Sequence, residues 1–343
     1  MDEQHEEKLR LGVIGSGWIA DEMIHGAVST GCFTVTAVYS RTLQRAQEFA
    51  EKHREPQQPV PRCFTDLEEM AVSPDVDAVY IASPNVCHVP QTRLFLQNGK
   101  HVLCEKPLAA RGQDVIELYR LAEEKGRIYM EAITMMSLPW LEELRWAVGK
   151  IGPVSLAKFD YCQYSSKYDG FLAGKNPNIF NPAMETGALM DLGIYTVYPA
   201  VWLFGEPQGI TASANFLPGG ADGSTAALLQ YPDKLVVLTC SKTGQGECGS
   251  EIVGEKGTLR IPSVSTLTDM TLCLRGEEKT VLSGKAEKYR LMGYEAEQFA
   301  RFIRQGPDKT YKQHRKTACQ AALLLQQIRR TAGIRFACDG EEQ

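Results

Sequence analysis

Apolar positions in the first part of the chain come in short runs, each followed by a longer stretch of helical character. Residues 9–14 form the first run and read as a strand, followed by a glycine turn and a helix to about residue 28. Residues 34–39 read as a second strand and 43–52 as the helix that follows it. Further short strands are expected at 77–82, 101–104 and 127–130, with helices between them. Repeated strand–helix–strand units imply parallel strands joined by right-handed crossovers. The expected fold is therefore an α/β Rossmann domain, a doubly wound parallel sheet.

Near residue 150 the pattern changes. Ile151-Gly152-Pro153 breaks the chain, an extended segment starts at 154–161, and 186–203 reads as one buried helix. Residues 210–282 hold successive strand-like runs separated by Pro218-Gly219-Gly220, Pro232-Asp233 and Gly254-Glu255-Lys256-Gly257. These turn signals predict an α+β domain with a large, mostly antiparallel sheet. Helices are expected at 289–304 and 312–330. The expected division is a nucleotide-binding domain over 1–131 and a substrate-binding and oligomerisation domain over 132–343, with the last helices free to pack back on the first domain.

Composition narrows the function classes. The 343 residues suffice for two domains, and 43% hydrophobic with 23% charged residues is globular usage. A net charge of −5 argues against a nucleic-acid partner, whose phosphates require clustered Lys and Arg. No uninterrupted apolar run approaches the ~20 residues of a membrane span, and residues 1–10 are charged rather than signal-like. The expectation is a cytoplasmic protein without a membrane partner. The ten cysteines are scattered without CxxC spacing and read as reduced, small hydrophobes; no metal site is expected.

The candidate chemistry begins at Gly15-Ser16-Gly17-Trp18-Ile19-Ala20, a G-x-G-x-x-A pattern between the first strand and first helix. Gly15 would make the tight turn, Gly17 would let the backbone approach a pyrophosphate, and Ala20 would let the helix pack on its strand. The N–H groups of the first helical turn would hold the phosphate. The second strand ends in Ser40-Arg41 without a carboxylate for ribose hydroxyls, and Arg45 follows one turn later. A hydroxyl and guanidinium groups suit the 2′-phosphate of NADP, with NAD kept as the alternative cofactor. Ser83-Pro84-Asn85 and Glu105-Lys106-Pro107 end later strands, where open parallel sheets bind ligands. His88 reads equally as a ligand-facing residue and as packing at a helix start.

In the second half, Gly187, Asp191 and Tyr195 are spaced i, i+4, i+8 and fall on one face of a regular helix. A carboxylate and a phenol on an apolar helix, with a glycine opening space above, suit proton exchange with a substrate oxygen. A nearby ammonium would favour the phenolate.

Together, Gly15-x-Gly17-x-x-Ala20, Ser83-Pro84-Asn85-x-x-His88, Glu105-Lys106-Pro107 and the stretch Gly187 to Tyr195 resemble the glucose–fructose oxidoreductase / inositol dehydrogenase / rhizopine-catabolism (Gfo/Idh/MocA) family. Tyr195, where many members carry His, and Met130-Glu131-Ala132-Ile133 resemble the branch containing the dimeric dihydrodiol dehydrogenase. The resemblance implies an NAD(P)-dependent dehydrogenase acting on a small hydroxyl or carbonyl compound. It implies Tyr195 as proton donor or acceptor, Lys106 as its electrostatic partner or itself the acid/base, and Asp191 as an orienting carboxylate. It further implies an oligomer, a dimer or dimer of dimers, through the open face of the antiparallel sheet. Thr134 stands where that branch places an aromatic residue, and Tyr161, Tyr164, Lys167 and Tyr168 follow. This change, with Thr134, Tyr161 and Gly187 as substrate-contacting candidates, points toward a sugar, polyol or diol. The alternative is a non-catalytic NADP-sensing regulator on the same scaffold.

Overall fold

The computed structural model describes residues 7–284 and 286–340. The chain opens with β1 (Leu9–Ile14), α1 (Trp18–Ser29), β2 (Phe33–Tyr39), α2 (Leu43–Lys52), β3 (Arg62–Phe64) and α3 (Leu67–Val72). It continues through β4 (Ala78–Ile81), α4 (His88–Gln97), β5 (His101–Glu105), α5 (Gly112–Glu124) and β6 (Tyr129–Ala132). These six strands are all parallel, in the order β3-β2-β1-β4-β5-β6. All four residues of β4, and all four of β6, are buried. That is why β4 reads as a continuous apolar run rather than an alternating one, whereas β6 carries Glu131 within it. Strand β3, only Arg62-Cys63-Phe64, was not expected: three residues are too few to show a period.

The second part follows with α6 (Leu141–Lys150), β7 (Val154–Cys162), α7 (Tyr168–Leu172) and α8 (Ile194–Phe204). Strands β8 (Gly209–Phe216), β9 (Asp222–Gln230), β10 (Leu235–Ser241), β11 (Ser250–Gly254), β12 (Gly257–Ile261), β13 (Thr271–Leu274) and β14 (Thr280–Val281) come next. Helices α9 (Lys288–Gln305) and α10 (Lys309–Thr331) close the sequence of elements. The eight-stranded sheet has the order β14-β13-β12-β11-β7-β10-β9-β8. Every pairing in it is antiparallel except β7 with β10, which is parallel. The three turn signals of the sequence fall at the β8–β9, β9–β10 and β11–β12 connections. The chain is thus a Rossmann-type parallel sheet plus a large, mostly antiparallel sheet.

Two compact units result. One comprises residues up to Leu108, Ile116–Ser137 and Glu287–Arg315; the other comprises Ala109–Val115, Leu138–Ala286 and the chain from Lys316. Within the first unit, α9 lies against α1. Gly26 permits this approach, since a Cβ there would stand 2.6 Å from the Tyr289 carbonyl oxygen and 2.9 Å from the Gly293 nitrogen. His25 stacks on Tyr289 at 4.1 Å between ring centroids.

The second unit contains the stretch Pro182–Phe204, long and apolar enough to cross a membrane. Most of it is buried inside the protein, as befits a core helix. The same unit is closed near its end by a fully buried arginine. The Arg329 guanidinium binds both Asp339 oxygens at 2.6 Å and also donates to the carbonyls of Ile334 (3.1 Å) and Ala110 (3.4 Å). Hydrogen bonds from Arg329 hold the Asp339 carboxyl well below the usual carboxylate range. Removing one member of such a pair leaves a buried charge uncompensated. Arg329→Met is expected to destabilise the protein by about 3–5 kcal/mol, read by chemical denaturation. A loss under about 1 kcal/mol would show that the pair contributes little.

Candidate functional site

In the first unit, the turn after β1 has the geometry a dinucleotide needs. Gly15 adopts φ +107°, and a Cβ there would lie 2.4 Å from the Ala82 carbonyl oxygen, so only glycine fits. The Ala82 N–H in turn donates to the Ile14 carbonyl at 2.8 Å, locking the turn to the end of β4. Gly17 caps α1, with open space where its Cβ would be. Ala20 is fully buried, allowing α1 to close on the sheet. Trp18, 68% exposed, and half-buried Ile19 begin the helix, whose first N–H groups have no partner within the helix.

At the end of β2, the Ser40 N–H donates to the Phe64 carbonyl at 3.1 Å. Arg41 and Arg45 then line one shallow concavity together with Thr42, Gln44 and Glu48. Two arginines thus share one concavity at the end of β2.

The turns after β4 and β5 are joined by a histidine. His88 is 1% exposed, and its ring nitrogens lie 2.9 Å from the carbonyl oxygens of Pro107 (Nδ1) and Ser83 (Nε2). Burial lowers its pKa, although the two carbonyls oppose this. The ring is enclosed rather than ligand-facing, so His88 belongs to the packing alternative; it ties together the two loops that border the cofactor region. Ser83 Oγ also donates to Gln91 Oε1 at 2.6 Å, and Asn85 opens the short 3₁₀ turn before α4. Pro84 precedes that turn in extended conformation.

Glu105 departs from its expected place at the cofactor. Its carboxylate is buried and accepts a hydrogen bond from the Tyr80 hydroxyl. Burial pushes its pKa up. Lys106, next along, is half-buried, and its peptide bond to Pro107 is cis. Glu295 on α9, absent from the sequence reading, is fully buried, and neither oxygen makes a hydrogen bond among the described residues. Burial, reinforced by Glu105, drives its pKa well upward. The Lys288 ammonium opposes that rise.

In the second unit, residues 186–203 do not form one regular helix. Leu189–Gly193 is a π turn, in which the Ile194 N–H donates to the Leu189 carbonyl five residues back; α8 follows. The wider turn alters the backbone hydrogen-bond ladder, while the four-residue step from Asp191 to Tyr195 still spans about one turn. Gly187 has φ +147°, and a Cβ there would lie 1.8 Å from Asp222 Oδ1. The space above Gly187, expected for substrate, is taken by that carboxylate.

Asp222 is completely buried. Its Oδ2 accepts from the Leu189 N–H at 2.7 Å and from Thr225 Oγ1 at 2.8 Å, while Oδ1 has no hydrogen-bond partner among the described residues. Asp191 is ion-paired with Lys242, a lysine at the end of β10. The Tyr195 ring meets Tyr161 of β7 edge to face, with centroids 5.5 Å apart. Thr134, in the first unit, is 3% exposed, too enclosed to line an open substrate pocket. Neither Asp222 nor Lys242 was found from the sequence, because each is distant in the chain from the helix it serves.

The segment after β7 is ordered by its own aromatics. Tyr168 packs against Tyr164, Phe171 and Phe180 with centroids 5.6, 6.1 and 5.6 Å apart. Tyr164 donates from its hydroxyl to Asp169 at 2.6 Å.

The sequence is that of a recognised oxidoreductase class. Residues 9–133 match the model of the oxidoreductase family with an NAD-binding Rossmann fold, and 145–260 match the GFO/IDH/MocA C-terminal domain. The chain is 40% identical over 333 residues to the uncharacterized oxidoreductase YgjR of Escherichia coli, covering 96% of this chain and 98% of that protein. It is 37% identical over 337 residues to the scyllo-inositol 2-dehydrogenase (NADP(+)) IolU of Bacillus subtilis, covering 96% and 99%. The mouse trans-1,2-dihydrobenzene-1,2-diol dehydrogenase is 30% identical over 344 residues, covering 96% and 99%. Among solved structures, KijD10, a 3-ketoreductase from Actinomadura kijaniata in complex with NADP and TDP-benzene, shares the fold with a TM-score of 0.81. Its sequence identity is 22%, over 95% of this chain and 98% of that one. The protein belongs to the GFO/IDH/MocA family and is an NAD(P)-binding oxidoreductase.

Asp222 generates a pH dependence. Burial raises its pKa to about 6 against the pull of the Leu189 N–H, the Thr225 hydroxyl and Lys242. A carboxyl raised in the folded state contributes stability that is complete below its unfolded pKa of about 4 and is lost as pH rises through about 6. Asp222→Asn is expected to flatten the stability profile over that window, by at most about 3 kcal/mol. Denaturant midpoints at several pH values check this; a variant profile parallel to the wild type would contradict it.

Proposed function

We propose that this oxidoreductase uses NADP(H) to interconvert a ring hydroxyl and a ketone on a cyclitol or related polyol. One observation carries the reading. Asp191, clamped by a buried lysine, precedes by one helical turn a tyrosine whose ring stands edge-on to Tyr161. Such a carboxylate and phenols suit a substrate rich in hydroxyl groups, and the IolU relative is named for scyllo-inositol. Bound NADP supplies the hydride acceptor. Tyr195 takes the proton of the reacting hydroxyl on oxidation and returns it on reduction. Lys106, at the end of β5, offers an ammonium for negative charge that develops on a substrate oxygen, and Asp191 accepts a hydrogen bond from a substrate hydroxyl.

Selectivity for NADP rests on Arg41 and Arg45, which line one concavity at the end of β2. The ten cysteines are all free, which suits a reducing cytoplasmic compartment. A homo-oligomer fits the sheet, whose β7 and β10 carry Leu156 and Leu235 at 40% and 43% exposure, side by side in register. Light scattering of the wild type beside Leu156→Asp tests this, with a dimer or tetramer that the substitution dissociates as the expected result.

The direct test is oxidation of scyllo-inositol and a panel of polyols with NADP⁺. Lys106→Ala and Tyr195→Phe are each expected to lower kcat about 100-fold or more while NADPH still binds. Arg41→Ala combined with Arg45→Ala is expected to raise KM for NADP⁺ about 10- to 100-fold and to leave NAD⁺ kinetics nearly unchanged. Tight NADPH binding without turnover of any polyol or its ketone would overturn the assignment.

A further inference from the structure

Lys242 lies outside every motif of the family resemblance, yet it is 6% exposed at the end of β10. Its backbone is held on both sides: its N–H donates to the Gly223 carbonyl, and its carbonyl accepts from the Ser165 N–H, each at 2.9 Å. Its ammonium pairs with Asp191. The pair is open at one end only, because the side chain of Asp191 is 25% exposed against 7% for Lys242. A purely structural core pair would gain nothing from that asymmetry. The π turn carrying Asp191 packs against β7, β9, β10 and α8.

The titratable groups on those elements form a short set. β9 contributes Asp222, buried beneath Gly187. β10 contributes Cys240, whose sulfur would lie 3.1 Å from a Cβ at Gly193 and whose thiol is kept protonated by burial. β7 contributes Tyr161, against Tyr195, while α8 carries Tyr195 itself and buried Tyr198. Asp160 and Cys162 alternate to the other side of β7 and bond each other, and Lys158 shares that side. Lys242 is therefore the cation these elements turn toward two carboxylates.

We propose that Lys242 is a positioning residue of the active centre, which fixes the Asp191 carboxylate in place through their ion pair. The proposal rests on the reading of Asp191 and Tyr195 as the groups that meet substrate. Removing the ammonium takes away the one charge that pairs with Asp191 in the ion pair and also acts on buried Asp222. Its protonated form is then favoured, and a carboxylic acid is a poorer acceptor for a substrate hydroxyl.

The test compares the full-length wild type with Lys242→Met, Lys242→Gln, Lys242→Arg, Asp191→Asn and Asp191→Asn/Lys242→Met. Thermal stability is followed from about pH 5 to about pH 8. Losing the ammonium disfavours only the ionised form of Asp191, so the deficit of Lys242→Met should grow as pH rises and shrink when Asp191→Asn is added. In kcat/KM for NADP⁺-dependent polyol oxidation, the acidic limb should move up by about one unit or more, a loss of about tenfold where it crosses the assay pH. Lys242→Arg should keep the limb in place. Lys242→Gln gives the same reading should the Met variant not accumulate. A stability deficit that is equal at every pH and unrelieved by Asp191→Asn would overturn the proposal. Failure of the polyol reading would show separately, as no turnover by the wild type, and the stability cycle would still decide the role of Lys242.

Discussion

Because Asp222 Oδ1 would stand 1.8 Å from any Cβ at residue 187, the helix carrying Asp191 can begin only on a glycine. The same carboxylate receives the Leu189 N–H, so it also caps the first turn of that helix. The chain then passes through a π turn before regular α8 begins. Asp191 then meets Lys242 at the end of β10, and Tyr195, one turn on, meets Tyr161 of the neighbouring β7. Burying a carboxylate is costly unless it is bonded, and here two donors and a nearby ammonium offset the loss of water. The polar centre of the second unit depends on this one buried group.

The first unit uses the same economy of backbone and buried polar groups. Gly15 and Ala82 make the close approach that leaves the start of α1 open, and His88 ties the loops after β4 and β5 through two carbonyls. The result is a rigid platform whose exposed features are helix N–H groups and two arginines, which is the chemistry of phosphate recognition.

Much of this was legible in the residues because the signals were local. Gly15-x-Gly17-x-x-Ala20 reads as a turn and helix start within six positions, and the three turn signals at residues 218–220, 232–233 and 254–257 each mark a strand connection. What escaped was nonlocal or irregular. Lys242 and Asp222 reach the helix from separate strands, and no spacing in the sequence joins them to Asp191. The π turn was invisible because the spacing argument assumed 3.6 residues per turn throughout. Glu105 carried the composition of a ligand-facing residue, but its side chain points into the protein, and His88 took the packing role of the two it offered. Gly187 was read as making room for substrate, whereas it makes room for Asp222.

Hydride transfer from a ring carbon of a polyol is the central claim, and the most direct measurement follows the hydride itself. The enzyme would be incubated with NADP⁺ and scyllo-inositol carrying deuterium on its ring carbons, and the reduced cofactor isolated and examined by NMR and mass spectrometry. Deuterium at the nicotinamide ring of the NADPH, with a matching ketone in solution, is the predicted result. Reduced cofactor without deuterium, or no reduced cofactor from any labelled polyol, would contradict it.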